Sequence, residues 1–364
     1  MTKLKFSLLA ILVFSVLVAA QVRDPLPVPD LPGYRTLKCD FHMHTVFSDG
    51  EVWPTIRLTE AFRDGLDAIS ITDHATYNPR QGDVKIDLAR PFAISRLAAE
   101  RLGIILIPGI EVNQGDTHAN ALFISDPNAL RSNDLVEVLR RARQQNAFVF
   151  WNHPGWKQKP EWFPLIASAY DEKLIQGLEL VNGATLYPEA FPWIEEKKLT
   201  ILANSDVHGL STGRSRPLTL VFARTADAEG IREALLARRT AAWMGGEIWG
   251  AEEHLRGLFE GALQVENPEL TWRPGLPGAL IRLRNLSAIP FRFRVLEAPA
   301  WFALSGGELR EEKTLGVPVR IGKDVPPGRH QLELGLEITN LHVAPGRNLR
   351  VRLALRLEAG KSVQ

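Results

Sequence analysis

The chain has 364 residues, 45% of them hydrophobic, with 43 basic and 42 acidic side chains and a single cysteine. That balance excludes the broad cationic surface with which proteins grip nucleic-acid polymers, and one cysteine excludes an intramolecular disulfide. The length suffices for one large domain and a smaller one, and no internal repeat or low-complexity tract interrupts it.

Lys3 and Lys5 precede an apolar stretch from Phe6 to about Val18, followed by Ala19, Ala20 and Gln21. A basic start, a short apolar core and small residues at a cleavage point describe a secretory signal peptide over residues 1–20. The core is short for a spanning helix, and Pro25, Pro27, Pro29 and Pro32 follow soon after. Cleavage after Ala20 removes two lysines and takes the formal charge from +1 to −1. The expectation is a periplasmic or secreted protein with no stable membrane anchor after cleavage. Residues 21–36 read as a linker.

From Leu37 to about Gly245 short apolar runs alternate with amphipathic ones. Strands are predicted at Leu37–Thr45, Ala68–Asp73, Ile104–Val112, Ala119–Ile124, Ala147–Asn152, Leu178–Asn182, Thr200–Asn204 and Leu218–Ala223. Helical patterns lie between them at Trp53–Arg63, Leu88–Leu102, Leu135–Gln144, Pro188–Lys197 and Ala228–Arg238. This alternation predicts an α/β domain over residues 37–250, with parallel strands covered by helices. After Gly250 apolar and charged side chains alternate, as in Ile281-Arg282-Leu283-Arg284 and Phe291-Arg292-Phe293-Arg294. Period-two alternation predicts a separate all-β domain over residues 267–359, most simply a sandwich.

Nine residues able to bind metal sit at or just beyond the ends of these strands: His42, His44, Asp49, His74, Glu111, His118, His153, Asp206 and His208. They include six of the nine histidines; His254, His330 and His342 read as ordinary surface or edge residues. His42 and His44 are two apart on one strand, so both imidazoles project from the same face. Glu111 ends a very apolar strand, where an unpaired carboxylate is costly unless a cation or donor meets it. A lone histidine in any of these places is more often a satisfied core residue, whereas the ordered set predicts one metal cluster. Ligands spread over most strands favour a barrel, which brings every strand's C-terminal end to one mouth. Cys39 occupies an odd position on the strand whose even positions carry His42 and His44, and is expected to pack away from them.

These residues resemble the PHP (polymerase and histidinol phosphatase) domain superfamily. More narrowly, residues 33–40, His42–Trp53, Phe148–Pro154 and Arg216–Ala223 resemble the Sb-PDE family of exported PHP phosphodiesterases. The resemblance covers roughly residues 30 to 250, and much more loosely the β-rich tail. It implies a distorted seven-stranded (β/α) barrel with divalent metals at its mouth, and hydrolysis of phosphate esters, especially diesters. It further implies two to three divalent ions: one on His42, His44, Glu111 and Asp206, a second on Glu111, His118 and His153, and a third on Asp49, His74 and His208. The catalytic set becomes Glu111, Asp206 and His208. Mixed nitrogen and oxygen donors suit manganese, iron(II) or zinc. Relatives often carry Glu where this chain has Asp73, and residues 182–192 match nothing in the pattern.

A metal cluster lowers the pKa of a bridging water, so the expected reaction is attack of hydroxide on phosphorus. Arg214 and Arg216 follow the last ligands closely and are candidate phosphate clamps, with a solvated loop role as the bland alternative. Trp151, Trp156 and Trp162 crowd His153; Trp156 is the candidate wall for an ester arm, against a plain core role. Three classes compete: a metal-dependent phosphodiesterase or phosphomonoesterase, an amidohydrolase-like enzyme cleaving C–N or lactone bonds, and a non-catalytic metal-stabilised barrel. The complete ligand set favours the first, acting on a small-molecule phosphate ester.

Overall fold

A computed structural model describes residues 22–211, 216–276 and 278–360; the signal peptide expected over residues 1–20 and Arg214 lie outside them. In chain order the first part comprises β1 (Arg35–Asp40), α1 (Pro54–Arg63), β2 (Ala68–Ile71), α2 (Arg90–Leu102), β3 (Ile105–Gln114) and β4 (Thr117–Leu122). There follow α3 (Leu135–Gln144), β5 (Phe148–Trp151), α4 (Pro164–Asp171), β6 (Gly177–Asn182), β7 (Thr185–Leu186), α5 (Ala190–Lys197) and β8 (Thr200–Asn204). It ends with β9 (Leu218–Ala223), α6 (Ala228–Leu236), β10 (Thr240–Met244) and β11 (Glu247–Gly250). The helices begin where local chemistry starts them. Prolines open α1, α2 and α4, where a missing N–H costs nothing. Asp134 and Asp227 cap α3 and α6 by accepting the Glu137 and Gly230 N–H groups.

The strands form one curved ladder. β1 pairs with β2 and β2 with β3 in parallel, β3–β4–β5 run antiparallel, and β5–β6–β8 are parallel again. The expectation of uniformly parallel pairing is corrected at β3–β4. Only Gly115 and Asp116 separate the paired Gln114 and Thr117, and a parallel crossover needs a dozen residues or more. The ladder then returns on itself. Beyond β8, Met43 bridges Val207; the Asp206 N–H donates to His42 O at 2.8 Å and the His44 N–H to Val207 O at 3.0 Å. Leu37 and Cys39 of β1 and Phe41 just beyond it pack with Ile107, Phe150 and Leu202 of the facing strands, and Ile231, Ala234 and Leu235 of α6 close this cluster. Cys39 is fully buried there, as its position on the strand predicts.

The remainder comprises α7 (Glu252–Ala262), β12 (Leu263–Val265), β13 (Glu269–Trp272), β14 (Ala279–Asn285), β15 (Phe291–Glu297), β16 (Phe302–Leu304), β17 (Gly307–Leu309), β18 (Thr314–Ile321), β19 (Gly328–Ala344) and β20 (Arg347–Ala359). β12, β14, β18 and β16 form a separate antiparallel sheet; β15, β19 and β20 belong to the other. That other sheet is continuous with the α/β part, because β9, β10 and β11 extend the ladder from β1 and β11 pairs in parallel with β19 (Ile248 with Leu341). One buried cluster accordingly runs from Leu58 and Leu220 to Leu334 and Leu353. Residues 22–34 dock along both parts: Arg23 pairs with Asp67 at 2.7 Å and Pro27 O accepts the Ala288 N–H. Among the described residues no helix is long and apolar enough to cross a membrane.

Candidate metal centre

All nine expected ligands converge at one mouth, most of them just past the regular strand ends and two, Glu111 and His118, within strands. His42 and His44 lie beyond β1, in extended chain held by the Val207 bridge. His74 follows β2 and bridges Glu111 of β3; His118 stands in β4, and His153 follows β5. Asp206 and His208 continue β8. Asp49 arrives on a loop pressed against the chain at His44 and Thr45: a Cβ on Gly50 would sit 2.4 Å from the His44 carbonyl carbon, so only glycine permits that approach.

Glu111 is the hub. Its carboxylate lies 3.4 Å or less from a ring nitrogen of His42, His44, His74, His118 and His153. Asp206 Oδ1 stands 3.2 Å from His42 Nε2 and 3.0 Å from His44 Nε2. Asp49 lies 3.3 Å from His208 and 3.5 Å from His74. Four sets have donor atoms close enough to share a cation: His44, Asp49, His74 and His208; His42, His44 and Asp206; His42, Glu111 and His153; and His74, Glu111 and His118. By proximity, then, His44 joins the rim set and His118 groups with His74 rather than with His153.

The residues fit a cation on two independent grounds. His42 Nε2, His44 Nε2, Asp49 Oδ1, His74 Nδ1 and Asp206 Oδ1 are buried with no hydrogen-bond partner, an arrangement native proteins otherwise avoid. The opposite ring nitrogens of three histidines are already engaged. His42 Nδ1 bonds Glu179 at 2.9 Å, His208 Nδ1 donates to Asp206 O at 2.8 Å, and His44 Nδ1 meets Ser48 Oγ at 3.2 Å while that hydroxyl donates to Asp73 at 2.6 Å. Each bond leaves Nε2 free to ligate. Asp73 also accepts the Thr45 N–H and hydroxyl, so it shapes the His44 loop.

The electrostatics agree. Burial opposes a charged His42, yet the Asp206, Glu111 and Glu179 carboxylates outweigh it and draw its pKa well up. Burial likewise opposes a charged His44, but bonds to Asp206 and Glu111 push it up to about 10. Against burial, His74 and His42 hold Glu111 well below the usual carboxylate range, and bonds to His208 and His74 do the same for Asp49. Protons thus balance the carboxylates, and a bound cation would displace them. Two ligands carry strained left-handed backbone, His153 at φ +26° and Asp206 at φ +49°, as residues over-determined by a site often do.

The mouth opens into a cavity of about 420 Å³. Trp156, 37% exposed, stands at one lip with its ring 5.0 Å from His118 and 5.4 Å from His153. Trp151 is buried, and with Trp162 it packs against Trp193, behind the site rather than in it. Arg216, expected as a phosphate clamp, is corrected: its side chain is buried against Asp40 at 3.3 Å and Asp64 at 3.2 Å, away from the mouth. Residues 182–192 do not line the cavity; Tyr187 supports Gly155 from behind, where an added Cβ would meet its ring at 3.0 Å. His254 is also corrected, from surface to a buried place against Phe222.

Several site residues were missed. Lys157 lines the cavity with its ammonium 3.9 Å above the Trp156 ring, and Tyr77 stands beside His74. Arg57 is fully buried and donates to His44 O, Val207 O, His208 O and Gly209 O, tying both ligand loops together. Nothing local in the sequence marks Arg57 or its partners.

The chain is 38% identical to a two-domain protein of Bacteroides vulgatus that contains a predicted PHP-like metal-dependent phosphoesterase. The alignment covers 92% of this chain and 100% of that one, with a TM-score of 0.84. A metal-dependent phosphoesterase structure from Bifidobacterium adolescentis aligns at 17% identity over 55% of this chain and 96% of its own, with a TM-score of 0.42. An amidohydrolase of Chromobacterium violaceum aligns at 15% identity over 47% of this chain and 87% of its own, with a TM-score of 0.36. No family model and no curated protein matches the chain.

Proposed function

The chain belongs to the PHP-like metal-dependent phosphoesterases, and from that premise we propose that it is an exported phosphodiesterase. The observation that carries the reading is Glu111, one carboxylate within reach of five imidazoles at the floor of an open cavity. The nine residues, through the overlapping donor sets given above, would hold two to three ions of manganese, iron or zinc. When bound, such ions lower the pKa of water toward neutrality and offset phosphate charge. On the same premise, β1 to β6 with β8 are a distorted seven-stranded barrel.

The chain's own residues supply the rest. Glu111, within hydrogen-bond reach of the Asn152 amide at 2.8 Å, is fixed between the imidazoles. Asp206 and His208 face the cavity rim, the latter with its side chain 39% exposed and its Nε2 directed by the Nδ1 bond. Among the described residues lining the cavity, Lys157 is the one lysine or arginine, so it takes the clamping role proposed for Arg216; Arg214 keeps its place in the proposal. Trp156 and Tyr77 form apolar lips, which suits a substrate with a second ester arm. Release outside the cytoplasm rests on the order of basic, apolar and small residues over residues 1–20.

The test is an assay of metal-reconstituted protein on an aryl phosphodiester, the matching monoester and a lactone. The expected result is the highest kcat/KM for the diester. A monoester preference would replace the diester reading while keeping the metal centre, and a lactone preference would remove phosphoester hydrolysis altogether.

A further inference from the structure

Glu179, in the middle of β6, is fully buried, and among the described residues no lysine or arginine pairs with it. Its carboxylate instead meets four donors. Oε1 accepts from His42 Nδ1 and Asn204 Nδ2, each at 2.9 Å; Oε2 accepts from the His153 backbone N–H and Asn182 Nδ2, each at 2.9 Å. Four donors around two oxygens call for a side chain that offers an acceptor at both positions, which a carboxylate does and a carboxamide does not. Two of the donors belong to expected metal ligands that follow different strands. One is the imidazole of His42; the other is the backbone of His153, at its strained φ of +26°.

We propose that Glu179 is a positioning residue of the metal centre. It holds His42 with the proton on Nδ1 and the Nε2 lone pair toward the mouth, and it holds the left-handed turn that swings His153 over Glu111. The inference rests on the metal-centre reading above and adds to it a carboxylate that touches neither cation nor substrate. Asn204 and Asn182 complete the arrangement. Asn204 also accepts the Phe41 N–H at 2.9 Å, linking β8 to the chain that carries His42.

Two substitutions separate positioning from space-filling. Glu179→Gln keeps size and shape but turns one acceptor into an amide NH2 donor facing other donors. Glu179→Asp keeps the charge and both acceptors while losing a methylene. Chelator-stripped proteins are titrated with Zn(II) and with Mn(II) by calorimetry, and bound metal is counted by elemental analysis; no ester is needed. Positioning predicts that Glu179→Gln weakens metal binding about 10–100-fold, and that Glu179→Asp retains more affinity than Glu179→Gln. In the Zn(II)-loaded wild type, a downfield Nδ1–H proton signal of His42 should be present, and it should be lost or moved in Glu179→Gln. Wild-type affinity in Glu179→Gln, or better binding by Gln than by Asp, overturns the inference and leaves the metal centre standing. No metal uptake by the wild type overturns both.

Discussion

Glu111 and Trp156 pose two different questions at one mouth. Glu111→Gln removes the charge that all five neighbouring imidazoles share, so metal content should fall and turnover should drop at least about a thousandfold. Circular dichroism should remain that of the parent; near-normal turnover with metal restored would refute the hub role. Trp156 stands about a third exposed, with its ring near His118 and Lys157 over it. If it seats an ester arm, Trp156→Ala should lower kcat/KM for bulky diesters about tenfold more than for small ones, the worth of one apolar contact. Equal losses would make it a support for the His153 loop. The convergence of the nine candidate ligands was legible because they recur in order at the ends of successive apolar runs, although each alone has a cheaper explanation. Glu179, Asp73 and Arg57 were not, since a buried polar residue is identified by its partners, and those come from distant strands. Arg216 misled for the same reason: its two aspartates lie 176 and 152 positions away.

Between elements, α1 matters through Arg57. The guanidinium reaches carbonyls of the His44 and His208 loops and pairs with buried Glu60 at 2.7 Å. Arg57→Met leaves that carboxylate without its cation, so unfolding stability should fall by about 3–5 kcal/mol; denaturant titration measures it, and a loss under 1 kcal/mol would show that water replaces the pair. Helix α7 carries a pH prediction. Burial against Phe222 lowers the pKa of His254, so the folded state resists a proton that the unfolded chain takes near pH 6.5. Its contribution is therefore complete above that pH and is lost as pH falls toward the depressed folded value. His254→Leu should lose less stability than the parent between pH 7.5 and pH 5.5, under matched metal; parallel slopes would contradict this. The helix itself escaped sequence reading because Gly257 and Gly261 weaken its pattern. Both are explained by packing: an added Cβ would meet Leu31 at 2.7 Å and Pro29 at 2.9 Å.

For the whole molecule, the sharpest issue is where the α/β part ends. A chain stopped after Gly250 would bare the edge of β11 that β19 covers, and would strip Leu255, Leu258 and Phe259 from the shared core. Each such side chain is worth roughly 1.5–3 kcal/mol, against a total of about 5–15 kcal/mol for a typical domain. Residues 21–250 alone should aggregate rather than elute as a folded monomer in size-exclusion chromatography; a monomer with native metal content would mean that the first part stands by itself. The amino-acid order determined most of the elements and singled out the nine residues that meet at the mouth, because hydrophobic period and strand-end chemistry are local properties of the chain. It determined the β-rich tail in the same way, through strict alternation at Ile281–Arg284 and Phe291–Arg294. Tertiary structure alone decided the antiparallel course of β3–β4–β5, the continuity of β11 with β19, and the partners of Arg57, Glu179 and Arg216. Those outcomes depend on which surfaces meet and which buried charges must be satisfied there, and no window along the chain contains both sides of such a contact.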